Sequence, residues 1–210
     1  MTFDFTTLPP RDAYKLLIST VVPRPIALVT SLDEHGRVNA APFSFFNVVG
    51  SDPPLVVLGV SNRPEGPPKD TAANIAASKE FVVNLVSESI ADAMNICATD
   101  FPADHSEVEA AGLELTSSID VKPPRIQASP VNFECREVQT LRIGNNRTIV
   151  GQIVRMHIRD ELVDKEKLYV DTAALKLIGR MGGGGGYVRT TDGFEIPRVS
   201  YAQWLERQAK

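Results

Sequence analysis

Two β-rich runs late in the chain, Val131–Ile143 and Thr148–Ile158, leave few choices for how this region folds. Each is long for a strand, and the residues between them, Gly144-Asn145-Asn146-Arg147, tolerate the positive φ that a tight reversal needs. Together they read as an antiparallel hairpin of unusual length.

Shorter elements of the same kind precede it. Ile26–Thr30 is an apolar, β-branched strand, Asp33-Glu34-His35-Gly36 a turn, and Arg37–Ala41 the returning strand of a hairpin. Pro53–Val60 and Phe81–Val86 are further strands. Helices are predicted over Pro10–Thr20, where proline suits the first turn, over Ala72–Ser78 with Asp70 or Thr71 as its cap, and over Glu88–Ala98. Strands outnumber short, scattered helices. The expected class is therefore mainly β (α+β): an antiparallel, Greek-key-like barrel with peripheral helices rather than alternating βαβ units. Residues 1–190 are expected to form this domain. Residues 191–210 are read as a polar C-terminal tail, helical around Tyr201–Gln208.

Composition excludes several function classes. With 210 residues and 43% hydrophobic residues the chain can bury a sizeable core. Its longest apolar stretches, such as Leu55–Val60, are far too short to span a membrane, and Met1–Pro10 lacks the pattern of a signal peptide. The expected location is cytoplasmic, without membrane association. Cys97 and Cys135 have no metal-ligand spacing and are expected to be reduced, mostly buried thiols. A net charge of −4 argues against nucleic-acid binding. There is no Gly-Lys pair for a phosphate-binding P-loop, and the glycine run Gly182–Gly186 does not satisfy G-x-G-x-x-G. Gly59-Val60-Ser61-Asn62-Arg63 fails the nucleophile-elbow pattern at its last position. His35, His105 and His157 are scattered, each read as a surface or strand residue.

Two segments carry chemistry. In Asn39-Ala40-Ala41-Pro42-Phe43-Ser44-Phe45-Phe46-Asn47, small residues and a proline let a ligand approach the backbone, and Pro42 is expected to end or bend the strand. Backbone N–H groups near Ser44 and Phe45 could then donate to a planar, acceptor-rich ring. The residues alone fit equally an ordinary strand end with its phenylalanines in the core. In the second segment, Ser61-Asn62-Arg63 precedes Lys69-Asp70-Thr71 at a helix start. A lysine beside a helix N-terminus is unfavourable unless something negative sits there, and a phosphate held by Arg63, Lys69, the Thr71 hydroxyl and backbone amides resolves the conflict. A solvated loop is the alternative.

With these pieces in order, the sequence resembles a known family. Arg24-Pro25-Ile26-Ala27-Leu28-Val29-Thr30, Gly36-x-x-Asn39-Ala40-Ala41-Pro42-x-Ser44-x-Phe46, Lys69-Asp70-Thr71-x-x-Asn74-Ile75 and Phe81-Val82-Val83-Asn84-Leu85 together resemble the flavin reductase-like family of FMN-binding split-barrel proteins. Gly179-Arg180-Met181-Gly182-Gly183 with Tyr187 looks like that family's C-terminal element. The resemblance covers roughly residues 10–190. It implies an FMN site (FAD being the alternative flavin) between the subunits of a homodimer. Asn39, Ala40, Ala41, Pro42, Ser44 and Phe45 would border the ring. Ser61, Asn62, Arg63, Lys69, Asp70 and Thr71 would surround the phosphate, Asn74 would support that loop from the first helical turn, and Arg180 with the glycines would complete the partner's site. The implied activity is NAD(P)H-dependent flavin reduction by hydride transfer to flavin N5, with a monooxygenase or other electron acceptor as partner and no catalytic side chain. The alternatives are a tightly FMN-binding electron carrier and a non-catalytic binding module. The sequence departs from well-characterised NADH-dependent members where their aspartate–histidine pair is replaced by Asn145-Asn146-Arg147, and in the length of Gly182–Gly186.

Overall fold

Ile26–Thr30 is apolar at consecutive positions because its strand is covered on both faces. A computed structural model describes residues 1–62, 68–102 and 105–208, the side chain of residue 206 aside. In it Ala27 and Val29 of β1 (Ala27–Leu32) join a core inside the sheet with Phe81, Val56 and Ile149. Leu28 faces the other way, into a second core with Ala40, Met94, Cys97 and Ile126. Alternation along one strand thus feeds two layers.

The remaining elements are α1 (Pro10–Thr20), β2 (Val38–Phe43), β3 (Phe46–Ser51), β4 (Pro54–Ser61), α2 (Asp70–Ser78), β5 (Glu80–Leu85), α3 (Ala91–Ile96), α4 (Glu107–Ala110), the short pair β6 (Leu115–Thr116) and β7 (Arg125–Ile126), the long hairpin β8 (Val131–Ile143) and β9 (Asn146–Ile158), the short pairs β10 (Val163–Asp164) with β11 (Tyr169–Val170) and β12 (Ile178–Arg180) with β13 (Tyr187–Arg189), and α5 (Tyr201–Gln208). The described residues form one seven-stranded antiparallel sheet in the order β2-β1-β5-β8-β9-β4-β3. Its two edge strands, β2 and β3, are consecutive in sequence with only Ser44 and Phe45 between them. A link that short spans at most roughly 11 Å, so the sheet must curl until its edges nearly meet. No ladder joins β2 to β3, and the result is a split barrel closed at a two-residue corner.

Several sequence expectations shift. Pro42 is the penultimate residue of β2, still paired with Leu28 because an edge strand tolerates the missing donor, and the strand ends one residue later at Phe43. β3 was not anticipated, since Phe43–Phe46 read as the strand's exit. The long hairpin turns on Gly144 and Asn145 alone, so Asn146 and Arg147 belong to β9. The helix expected over Glu88–Ala98 is a 3₁₀ turn, Glu88–Ile90, followed by α3. Both cysteines are free and buried, and burial pushes the Cys97 thiol up to about 11. No helix among the described residues is long and apolar enough to cross a membrane.

Gly151 marks the tightest packing inside the barrel. A Cβ there would overlap the Phe81 ring, whose side chain is fully buried. Gly151→Ala is expected to destabilise the fold by about 1–3 kcal/mol, read as a lowered melting temperature. An unchanged melting temperature would show that Phe81 can move aside.

Candidate functional site

β2, the corner that follows it and the start of α2 carry most of the residues that the sequence singles out. Alternation along β2 puts Asn39, Ala41 and Phe43 on one face and Ala40 and Pro42 on the other. Ala40 is fully buried in the outer core, so toward a ligand it and Pro42 can offer backbone only. At the corner, the Phe45 carbonyl accepts from the Gly59 N–H at 2.7 Å, and a Cβ on Gly59 would come within 2.9 Å of the Phe45 Cβ. This glycine lets the corner lie against β4. Tyr14 of α1 packs on Phe45, with ring centroids 6.3 Å apart.

Ser44 is held from a direction that sequence reasoning missed. Arg24 is only 5% exposed, and its Nε donates to the Ser44 hydroxyl at 3.2 Å. Its Nη1 donates to the carbonyls of Ile18 and Val21, tying the end of α1 to the corner. Burial lowers the Arg24 pKa from its ordinary value; Tyr14 opposes the shift and Arg180 adds to it. Arg180 is the neighbour because the backbones of Arg24 and Arg180 exchange two hydrogen bonds, at 3.0 and 2.8 Å. Its guanidinium stacks on Tyr187, 4.6 Å from the ring centroid, and donates to the Gly186 carbonyl. Within one chain Arg180 thus lies beside Arg24, the residue that reaches the corner. The only signal for Arg24 was the arginine in its Arg-Pro motif, read as part of a resemblance rather than as a positioning group.

The other end of the site is the start of α2. Lys69, not Asp70 or Thr71, occupies the N-cap position, and no side chain caps the helix. Thr71 is 1% exposed, and its hydroxyl accepts from Asn39 Nδ2 at 2.9 Å. Asn74 lies in the second turn, and its Nδ2 donates to Ser31 Oγ at 3.1 Å. It therefore anchors α2 to β1, while most of the preceding loop, residues 63–67, lies outside the described residues. These two bonds clamp the helix against the β1–β2 hairpin and leave its N-terminal N–H groups presented at the site. Lys69 and Asp70 are exposed. Ser61 ends β4, its hydroxyl 3.4 Å from Asn146 Oδ1. The Asn62 N–H donates to the Asn145 carbonyl at 2.9 Å, whereas its Oδ1 is buried with no hydrogen-bond partner. Arg63 lies outside the described residues.

These groups suit a ligand with an anionic end and a flat polar end. An uncapped helix start, a nearby lysine and a hydroxyl that still has its proton to donate favour a phosphate. An orphaned amide oxygen asks for a donor such as a sugar hydroxyl. The corner offers aromatic surface and backbone groups. On these residues FMN fits.

Comparison with known proteins gives the family. Residues 19–176 match the profile of the flavin reductase like domain. The chain is 40% identical to the 2-nitrobenzoate 2-nitroreductase NbaA of Pseudomonas fluorescens, which superposes with a TM-score of 0.87 over 96% of this chain and 98% of that one. Nitrilotriacetate monooxygenase component B from Bacillus cereus is 31% identical, with a TM-score of 0.88 over 93% of this chain and 98% of that one. An NADH:riboflavin 5′-phosphate oxidoreductase of Streptomyces pristinaespiralis is 27% identical over 150 residues, 71% of this chain and 77% of that protein.

Proposed function

This chain belongs to the flavin reductase-like family and is an oxidoreductase of that kind, and from that premise we propose that it binds FMN and reduces it with NADH or NADPH. The observation that carries the reading is the uncapped start of α2, its Thr71 held by Asn39 of the strand that runs on to the Ser44–Phe45 corner, with the orphaned Asn62 oxygen one residue past β4. Thr71, having accepted from Asn39, donates its own proton to a phosphate oxygen. Lys69 adds charge, and Asn62 Oδ1 accepts from a ribityl hydroxyl. Ala41, Ser44 and Phe45 border the ring, with Arg24 fixing the Ser44 hydroxyl. When bound, FMN supplies the hydride chemistry at its N5, so the chain needs no acid or base of its own. FAD is the alternative flavin, entering by the same phosphate end.

The enzyme is proposed to act in the cytoplasm as a homodimer. Val48 and Val49 on β3 and Leu141 and Ile143 on β8 are exposed apolar residues that a second copy would cover. The likeness to component B of a monooxygenase supports a monooxygenase as recipient of the reduced flavin. A second reading, in which FMN stays bound and passes electrons to a small acceptor, is favoured by the 40% identity to a nitroreductase.

Anaerobic mixing of the FMN-loaded protein with each nicotinamide is expected to bleach the flavin absorbance. Nicotinamide oxidation that grows with added free FMN supports the first reading. Oxidation that needs a nitroaromatic acceptor but no free flavin supports the second. A protein that takes up no FMN overturns both.

A further inference from the structure

Arg142 of β8 and Arg147 of β9 face each other directly in the hairpin register, an arrangement that costs stability because like charges oppose across the strands. Both line a cavity of about 480 Å³ whose lining also includes Ala72 and Ala76 of α2. The remaining cavity charges cancel: Lys79 pairs with Glu137 at 2.6 Å. Among the described residues neither arginine has an ion pair. The Arg147 Nε is buried and has no hydrogen-bond partner. A buried guanidinium donor left empty beside a second unpaired arginine is a cost that a bound anion would remove.

We propose that this cavity is a phosphate site for the nicotinamide co-substrate, in which Arg142 and Arg147 hold the 2′-phosphate of NADPH. Two guanidinium groups match a phosphate monoester, which carries about −1.5 to −2 charge at pH 7, better than a singly charged carboxylate or phosphodiester. The volume exceeds what a lone phosphate needs and lies within the range of small-molecule pockets, leaving room for the attached sugar and base. The site lies on the flank of α2, and Arg147 pairs in register with Val60, next to Ser61 of the flavin-phosphate end. The inference rests on the nicotinamide reading of the previous subsection.

The test uses FMN-loaded protein and calorimetry with 2′,5′-ADP, 5′-ADP and inorganic phosphate, beside reduction by NADPH and NADH. Binding of 2′,5′-ADP at least about tenfold tighter than 5′-ADP is expected, together with a matching preference for NADPH. R147Q, R142Q and the double variant are expected to erase that ratio, while melting curves report whether each is folded. Equal binding of the two ADP isomers, or a ratio unmoved in folded variants, overturns the assignment. Phosphate binding as tightly as 2′,5′-ADP also overturns it, since the site would then be a free-phosphate site. If neither nicotinamide bleaches the flavin but 2′,5′-ADP still binds through the arginines, the nicotinamide reading fails while the phosphate site stands.

Discussion

Thr71→Val is expected to weaken FMN binding by roughly 10- to 100-fold while changing riboflavin binding far less. A hydrogen bond from a hydroxyl to a charged oxygen contributes about 1.5–3 kcal/mol, and each 1.4 kcal/mol is a factor of ten. Valine preserves shape but removes both the donor proposed for the phosphate and the acceptor that Asn39 Nδ2 uses. Part of the loss therefore comes from an unpaired Asn39. Thr71→Ser restores the hydroxyl and should recover most of the affinity. Lys69→Ala is a different case. Its side chain is exposed, so solvent screens it and the loss should be a few-fold, shrinking as salt is added. Fluorescence titration with FMN and riboflavin separates these effects. Equal losses for both flavins would place the phosphate elsewhere.

Glu134→Ala is expected to cost about 3–5 kcal/mol of folding stability, because it empties the most heavily bonded carboxylate of the outer layer. Glu134 is fully buried in β8. Its oxygens accept from the N–H groups of Ile119 at 2.8 Å, Asp120 at 2.6 Å and Val121 at 3.1 Å, and lie 2.6 Å from His157 Nε2. Asp120, in the same loop, pairs with Arg155 at 2.5 Å. Without the carboxylate, three backbone donors and His157 lose their acceptor together. Burial alone would push the Glu134 carboxyl up, but the Ile119 N–H, His157 and the Asp120 N–H outweigh it and hold it below its usual value of 4.5. The hydrogen bond from Arg155 likewise lowers the Asp120 pKa. A carboxylate held low in the folded state contributes stability that is complete above its unfolded pKa and is lost as pH falls through the folded one. Denaturant melts should therefore show stability falling on acidification below about pH 4.5, with a shallower fall in Glu134→Gln. Parallel acid profiles for the two proteins would remove Glu134 from the account.

The elements with a local signature were legible in the sequence. α1 ends where Val21-Val22-Pro23 makes helix continuation costly, and α5 falls on the stretch expected for it. The long hairpin, the β1–β2 turn and the start of α2 near Lys69 also lay where propensity and turn chemistry put them. The expectation of an anion at that helix start also came from local sequence, since a lysine at a helix N-terminus is a local conflict. By contrast, β3 was hidden: its burial falls off after Phe46, because one face of an edge strand is open to solvent.

Only the tertiary structure decided what these pieces do together. That Ser44 and Phe45 join opposite edges of one sheet follows from the strand order, which no neighbouring residues encode. The Asn39–Thr71 bond spans 32 positions, and Arg24 reaches Ser44 across 20. The Glu134 cluster depends on which loop crosses β8, and the opposition of Arg142 and Arg147 on the exact hairpin register. Hydrophobic period and turn residues act within a few positions and so leave a local trace. A polar side chain's partner is chosen by chain closure over long distances, and that choice appears only once the barrel has curled.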